Sequence, residues 1–200
     1  MTKGEETRQH IVERAAALFN VHGYAASSIS DVMATTGLQK GGIYRHFDSK
    51  EQLALAAFDY AQAQYTARIE AWVQREEDAL AQLIAFCRAF VSLTVDPLLP
   101  GGCPIMNALI ETADGDPQLR ERALQVVSDW EAIVRRIVAR GIAQGVLRSD
   151  IDGQAVATML IGAIEGAVML SRAHHDYVYL EHAVEQLTRY LHTAVAREHS

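Results

Sequence analysis

The stretch SSISDVMATTGLQKGGIYRHFDSKEQL, residues 27–53, decides how this chain is read. Ser28 and Asp31 stand three apart, so each side chain can bond the other's backbone N–H at a helix start. Ile29, Val32 and Met33 give that helix one apolar stripe, and Gly37 is placed to end it in a left-handed turn. A second short helix is expected from about Gln39 to Phe47, with Ile43 and Phe47 one turn apart. Ser49 and Gln52 then repeat the capping pattern and open another helix. Two helices joined by Thr35-Thr36-Gly37-Leu38 match a helix-turn-helix, whose second helix enters the major groove and offers its first residues to base edges.

Here those first residues are Gln39, Lys40, Gly41 and Gly42. Gln39 and Lys40 can bond bases. Each glycine costs a helix about 1 kcal/mol relative to alanine, so a helix that begins with two of them implies that something approaches its backbone closely. Tyr44, Arg45 and His46 mostly face away from the Ile43/Phe47 stripe and can reach phosphates or bases. Lys50 falls in the first turn of the next helix, where unpaired N–H groups favour an anion. Taken singly, Ser28 can be a cap alone, and Tyr44 a packing tyrosine.

Outward from this segment the chain reads as helix throughout. Ile11, Ala15, Leu18 and Phe19 share a face of a first helix that stops near His22-Gly23. Longer helices are expected from Ser49 to about Trp72 and from Asp78 to about Val95, then a short one from Pro104 to about Ala113; after a turn at Asp114-Gly115-Asp116-Pro117 a long helix runs to about Gln144, followed by others from about Asp152 to Arg172 and from Val178 to Ala196. No strand-like alternation or repeat interrupts them. The expected fold is all-α with about nine helices: a DNA-binding domain over residues 1–50 and a larger helical body over 51–200.

Composition sets limits on function. Half of the 200 residues are hydrophobic, enough for a sizeable core. No apolar run is expected to reach the roughly 18 residues of a membrane span, and the N-terminal residues do not read as a secretion signal. Two cysteines do not make a disulfide framework, which points to a reducing, cytoplasmic location. The net charge is −7, yet residues 1–50 hold six Lys or Arg against five acids and all three lysines. The N-terminal segment is therefore the part least repelled by a phosphate backbone.

The run GLQKGGIYRHFDSKEQL, with SSISDVMATT before it and ALFNVHGY at residues 17–24, resembles the tetracycline-repressor (TetR) family of bacterial regulators. The likeness covers about residues 8–60. It implies a homodimer on a palindromic double-stranded DNA operator, joined through the last two helices and released by a small-molecule effector in the C-terminal body. Carried over by position, the DNA contacts fall on Ser28, Ser30, Lys40, Gly41, Gly42, Tyr44, His46 and Lys50. Phosphate contacts would come from Ser28, Tyr44 and Lys50, and base readout from Lys40 with Ser30 and Gly41 nearby. Ser30 is short where some members carry a longer reading side chain.

The body is less explicit. Gly162, Ala163, Gly166 and Ala167 permit close helix approach, as dimerisation through the last two helices requires, although an intramolecular core would use them equally. Phe58, Tyr65, Phe86, Phe90, Met106, Trp130 and Met159 are candidate liners of an apolar effector pocket, with Glu165 available for a polar group. Cys103, in Gly-Gly-Cys-Pro, is expected at a helix N-cap, where the dipole would activate a thiol for sensing electrophiles or oxidants, though a cysteine in such a turn is more often simply a small buried residue. His174-His175-Asp176 do not converge on one ion. No metal, cofactor or catalytic residue is expected. An enzyme on a helical bundle would need an acid, base or nucleophile cluster that this sequence does not supply.

Overall fold

A computed structural model describes residues 2–113 and 115–197; Asp114, placed by the sequence in the turn before the long helix, lies outside the described residues. The helices are α1 (Lys3–His22), α2 (Ile29–Thr36), α3 (Lys40–Tyr44), α4 (Lys50–Val73), α5 (Ala79–Val95), α6 (Pro104–Glu111), α7 (Pro117–Ala143), α8 (Gly153–His174) and α9 (Val178–Tyr190). A π-helical turn, Leu191–Val195, continues α9. Extended pairing among the described residues is confined to one bridge, Leu147 with Ala196. The all-α expectation holds.

The chain divides into two compact units. One comprises residues 1–64 and 98–126, the other 65–97 and 127–200. In the first, α1 buries Ile11, Val12, Ala15, Ala16 and Phe19 and packs on α2 and α6. Its start is fixed by a further capping box, beyond the two expected: Thr2 Oγ1 accepts from the Glu5 N–H at 3.3 Å, and Glu5 Oε2 accepts from the Thr2 N–H at 2.7 Å.

Helices α3 and α9 end three or more residues earlier than their periodicity predicts. Helix α3 stops at Tyr44, because the chain tightens there: the His46 N–H bonds Ile43 O at 2.9 Å in a three-residue step. Phe47 stays buried at the end of that turn. Helix α9 stops at Tyr190 and widens, with the Ala196 N–H reaching Leu191 O at 2.8 Å. The tail is then pinned by Arg148 N–H to Val195 O (3.1 Å) and Arg197 N–H to Val146 O (3.0 Å).

The second unit is an apolar bundle. Helix α5 buries nine residues, including Leu83, Phe86, Cys87 and Phe90. It packs against α8 and α9, which also pack extensively on each other. Buried Gln82 on α5 donates to Glu76 O at 2.7 Å and accepts from Arg140 of α7. Helix α8 corrects one sequence expectation. It is long and apolar enough by composition to cross a membrane, with a mean hydropathy of 1.5 over 18 residues. Its alanines and larger apolar residues raise that mean, while Gly162, Glu165 and Gly166 keep them from forming one unbroken apolar run. Val156, Leu160, Ile161, Ile164 and Val168 are buried within the protein.

Candidate nucleic-acid interface

The helix-turn-helix takes its shape from short-range polar bonds. Ser28 Oγ accepts from the Asp31 N–H at 3.3 Å, and Asp31 Oδ2 accepts from both the N–H and the hydroxyl of Ser28 at 2.7 Å. Those bonds hold the Asp31 carboxyl below the usual aspartate range. The Ser28 hydroxyl proton is therefore already engaged, and a phosphate contact from it would exchange a capping bond. Gly37 has φ +71°, the left-handed conformation expected for the turn.

The end of α2 is tied to α1 by side chains to which the sequence pattern assigned no role. Arg14 Nε donates to Thr35 O at 3.1 Å, and His10 Nε2 lies 3.2 Å from Thr36 O. Arg8 rests its guanidinium 4.9 Å from the Phe47 ring centroid. A signal for them does exist in the sequence: basic residues at i, i+4 on α1 suit the carbonyl end of a neighbouring helix.

Among the DNA-facing candidates, Ser28, Ser30, Gln39, Lys40, Gly41, Tyr44 and Arg45 are exposed, while Gly42, His46 and Lys50 are half-buried. Gln39 is the N-cap of α3 but makes no side-chain capping bond. Lys40 Nζ sits 5.7 Å from the Tyr44 ring centroid, one turn along the same exposed surface. A Cβ at Gly41 would meet nothing within 4 Å, and one at Gly42 only the Leu38 side chain at 3.6 Å. Internal packing therefore does not require either glycine. Lys50 Nζ donates to Ala25 O at 3.1 Å.

The proposed effector-pocket residues fall in both units. In the first unit Phe58 and Cys103 are buried and Met106 is half-buried. Cys103 caps α6 as expected, ahead of Pro104, but makes no side-chain capping bond and is only 5% exposed, so its thiol is covered from solvent. In the second unit Tyr65, Phe86, Phe90, Trp130 and Glu165 are buried. The Phe90 and Trp130 rings meet edge to face at 5.3 Å, and Trp130 Nε1 donates to Thr66 Oγ1 at 3.3 Å. Met159 departs from this set. It is 50% exposed, because its helical phase puts it outside the face carrying Leu160 and Ile164. A groove of about 190 Å³ in the second unit is lined by Trp72, Ile84, Arg88 and His192 among others, and by none of the candidate liners. Burial pushes the Cys87 thiol up to about 12, so it stays protonated.

A capped helix, a glycine turn and a short exposed helix headed by Gln39-Lys40-Gly41-Gly42 define a helix-turn-helix DNA-binding regulator. Comparison with known proteins gives the family. Residues 11–57 match the family described as bacterial regulatory proteins, tetR family, and residues 79–187 match the tetracyclin repressor-like C-terminal domain. A TetR transcriptional regulator from Chloroflexus aurantiacus, known as a crystal structure, is 47% identical, with a TM-score of 0.96 covering 99% of this chain and all of that one. A TetR-family regulator from Cytophaga hutchinsonii is 32% identical, with a TM-score of 0.90 over 100% of this chain and 99% of the other. The transcriptional repressor DhaR of a Mycobacterium species is 26% identical over 166 residues, 81% of this chain and 80% of its own length. The chain belongs to the TetR family and is a transcriptional regulator.

Proposed function

We propose that this regulator is a repressor that binds a palindromic operator as a homodimer and leaves it when a small-molecule effector occupies the C-terminal body. Residues 1–50 form the DNA-reading domain and residues 51–200 the effector-binding and dimerising body. The observation that carries the reading is the exposed head of α3, where Lys40 and Tyr44 flank two glycines that no internal contact requires. Lys40 reads bases, with Ser30, Gln39 and Gly41 beside it. Ser28, Tyr44 and Lys50 hold phosphates, and Arg45 and His46 reach phosphates or bases. The sign of regulation follows that of the similar repressor DhaR.

Dimerisation is supported by α8. Met159, Met169 and Leu170 are exposed there, and a Cβ at Gly162 or Gly166 would meet nothing within 4 Å. Positions 159, 162, 166, 169 and 170 follow one helical stripe, apolar and shallow, which suits a two-fold pairing of helices. The buried ring cluster of Phe86, Phe90 and Trp130 favours an apolar effector.

Selection of duplexes from a random-sequence pool by the full chain tests the reading. The expected product is an inverted repeat whose half-sites lie on one face of the duplex. Light scattering should give twice the 22.0 kDa chain mass. Failure to enrich any duplex, or enrichment of a single half-site by a monomer, refutes it.

A further inference from the structure

Helix α6 is joined to the end of α1 and the loop beyond it by side chains that grip backbone, all within the first unit. Asn20 of α1 is buried and donates to Pro100 O at 2.7 Å and Gly102 O at 2.9 Å. Asn107 of α6 donates to Asn20 Oδ1 at 2.9 Å and to Gly101 O at 2.8 Å. Gly101, at φ +102°, approaches so closely that a Cβ there would overlap the Asn20 carbonyl. One turn further along α6, Glu111 takes hold of the loop between α1 and α2. Its Oε2 accepts from the Tyr24 N–H at 2.8 Å and its Oε1 from the Ala25 N–H at 2.5 Å. Ala25 is held through its carbonyl too, which accepts from Lys50 Nζ at 3.1 Å.

We infer that Asn107 and Glu111 are positioning residues for operator binding, acting through the 23–25 loop to fix where α2, α3 and Lys50 stand. The inference rests on the reading of residues 28–50 as the DNA-binding surface. The loop runs directly into Ser28, the cap of α2, so a displaced loop displaces the start of the helix-turn-helix. A carboxylate bonding two amides gives charge-assisted bonds, stronger than neutral ones and sensitive to small shifts. Asn107 and Gly101 set the height of α6 along α1, and Glu111 converts that height into a loop position.

The sign of the effect separates positioning from simple electrostatics. Glu111 is negative, so its removal near a phosphate backbone would by charge alone tighten DNA binding. Positioning requires the opposite.

The test uses full-length Glu111→Gln, Glu111→Ala and Asn107→Ala with a duplex selected by the wild-type chain. The expected result is a loss of about tenfold in affinity for Glu111→Ala. A smaller loss is expected for Glu111→Gln, which keeps one acceptor oxygen. The slope of log affinity against log salt should shallow as phosphate contacts are misplaced. Amide exchange at Tyr24 and Ala25 should accelerate in the free protein. Partial unfolding would instead lower the active fraction in a stoichiometric titration and leave the slope unchanged; Glu111→Gln keeps the test open if the alanine variant does not fold. Wild-type or tighter binding by the folded Glu111 variants, or an unchanged slope, overturns the positioning role. So does unaltered exchange at both amides. A wild-type chain that selects no duplex refutes the operator reading and this role with it. Normal wild-type selection with unaffected variants refutes this role alone.

Discussion

Between Ser28 and Ser49 the chain is fixed mainly by polar bonds between residues close in sequence, whereas α8 and α9 are fixed by apolar side chains meeting from distant segments. The first region buries few large residues of its own, chiefly Val32, Ile43 and Phe47. Its functional candidates are largely exposed; Ser28 and Lys50 also make internal bonds, whereas neither glycine at the head of α3 is required by packing. In the second unit the candidate residues other than Met159 are themselves the core: Phe86, Phe90 and Trp130 are almost wholly buried. A side chain that protrudes without a structural reason points to a partner. One that is buried is accounted for by its packing.

The largest effect expected from this contrast lies in the second unit. Trp130→Ala removes an edge-to-face partner of Phe90 and the bond to Thr66, and should destabilise the protein by about 3–5 kcal/mol in chemical denaturation. Lys40→Ala should do the reverse of this. It should leave the denaturation midpoint unchanged and weaken binding to the selected duplex by about 1–3 kcal/mol, with relaxed preference at the bases it reads. A Lys40 variant that loses stability instead would erase the distinction between the two regions.

That distinction also governs what is legible in the sequence. Ser28 with Asp31, Gly37 and the Gln39-Lys40-Gly41-Gly42 head are readable because caps and turns act within a few residues. The early end of α3 is not, since Ile43 and Phe47 keep the same spacing in a tight turn as in a helix. Met159 reads as a pocket liner because an apolar residue in an apolar helix has no visible phase error until its neighbours are known. Asn20 and Glu111 carry no local signal, because their partners lie 80 or more residues away in sequence, and Asn107 reaches Asn20 87 residues away.

A smaller effect sharpens the picture of the first region. Ser28→Ala removes the cap of α2 and should cost about 1 kcal/mol near neutral pH. The pH dependence has a definite sign. The Asp31 carboxyl is held below its ordinary value in the folded chain, so its bonds stabilise the fold above the usual aspartate range, weaken as pH falls through that range and are lost below the lowered folded value. The gap in stability between wild type and Ser28→Ala should therefore narrow as pH falls from 7 to about 3, leaving the share due to the Asp31 N–H bond to Ser28 Oγ. Parallel curves would show that Asp31 does not titrate with the cap.

The smallest effect is expected where α8 turns into α9. His175 has φ +53°, the one positive value among the described non-glycine residues, and its N–H closes the helix on Arg172 O at 3.3 Å. A left-handed residue with a side chain costs roughly 1–2 kcal/mol, and glycine returns part of that gain through its greater freedom when unfolded. His175→Gly should therefore stabilise the protein by about 0.5 kcal/mol and raise its thermal midpoint slightly. In the helix-turn-helix the corresponding position is already glycine, at Gly37, with φ +71°. The reciprocal change, Gly37→His, should therefore destabilise the chain, and a Cβ there would meet nothing within 4 Å, so the loss is one of backbone strain without a clash. Equal and opposite shifts in the two variants would show that the two turns obey one rule, although the regions they serve are held by different forces. A loss of stability in His175→Gly would mean that the His175 side chain contributes more than its backbone conformation costs.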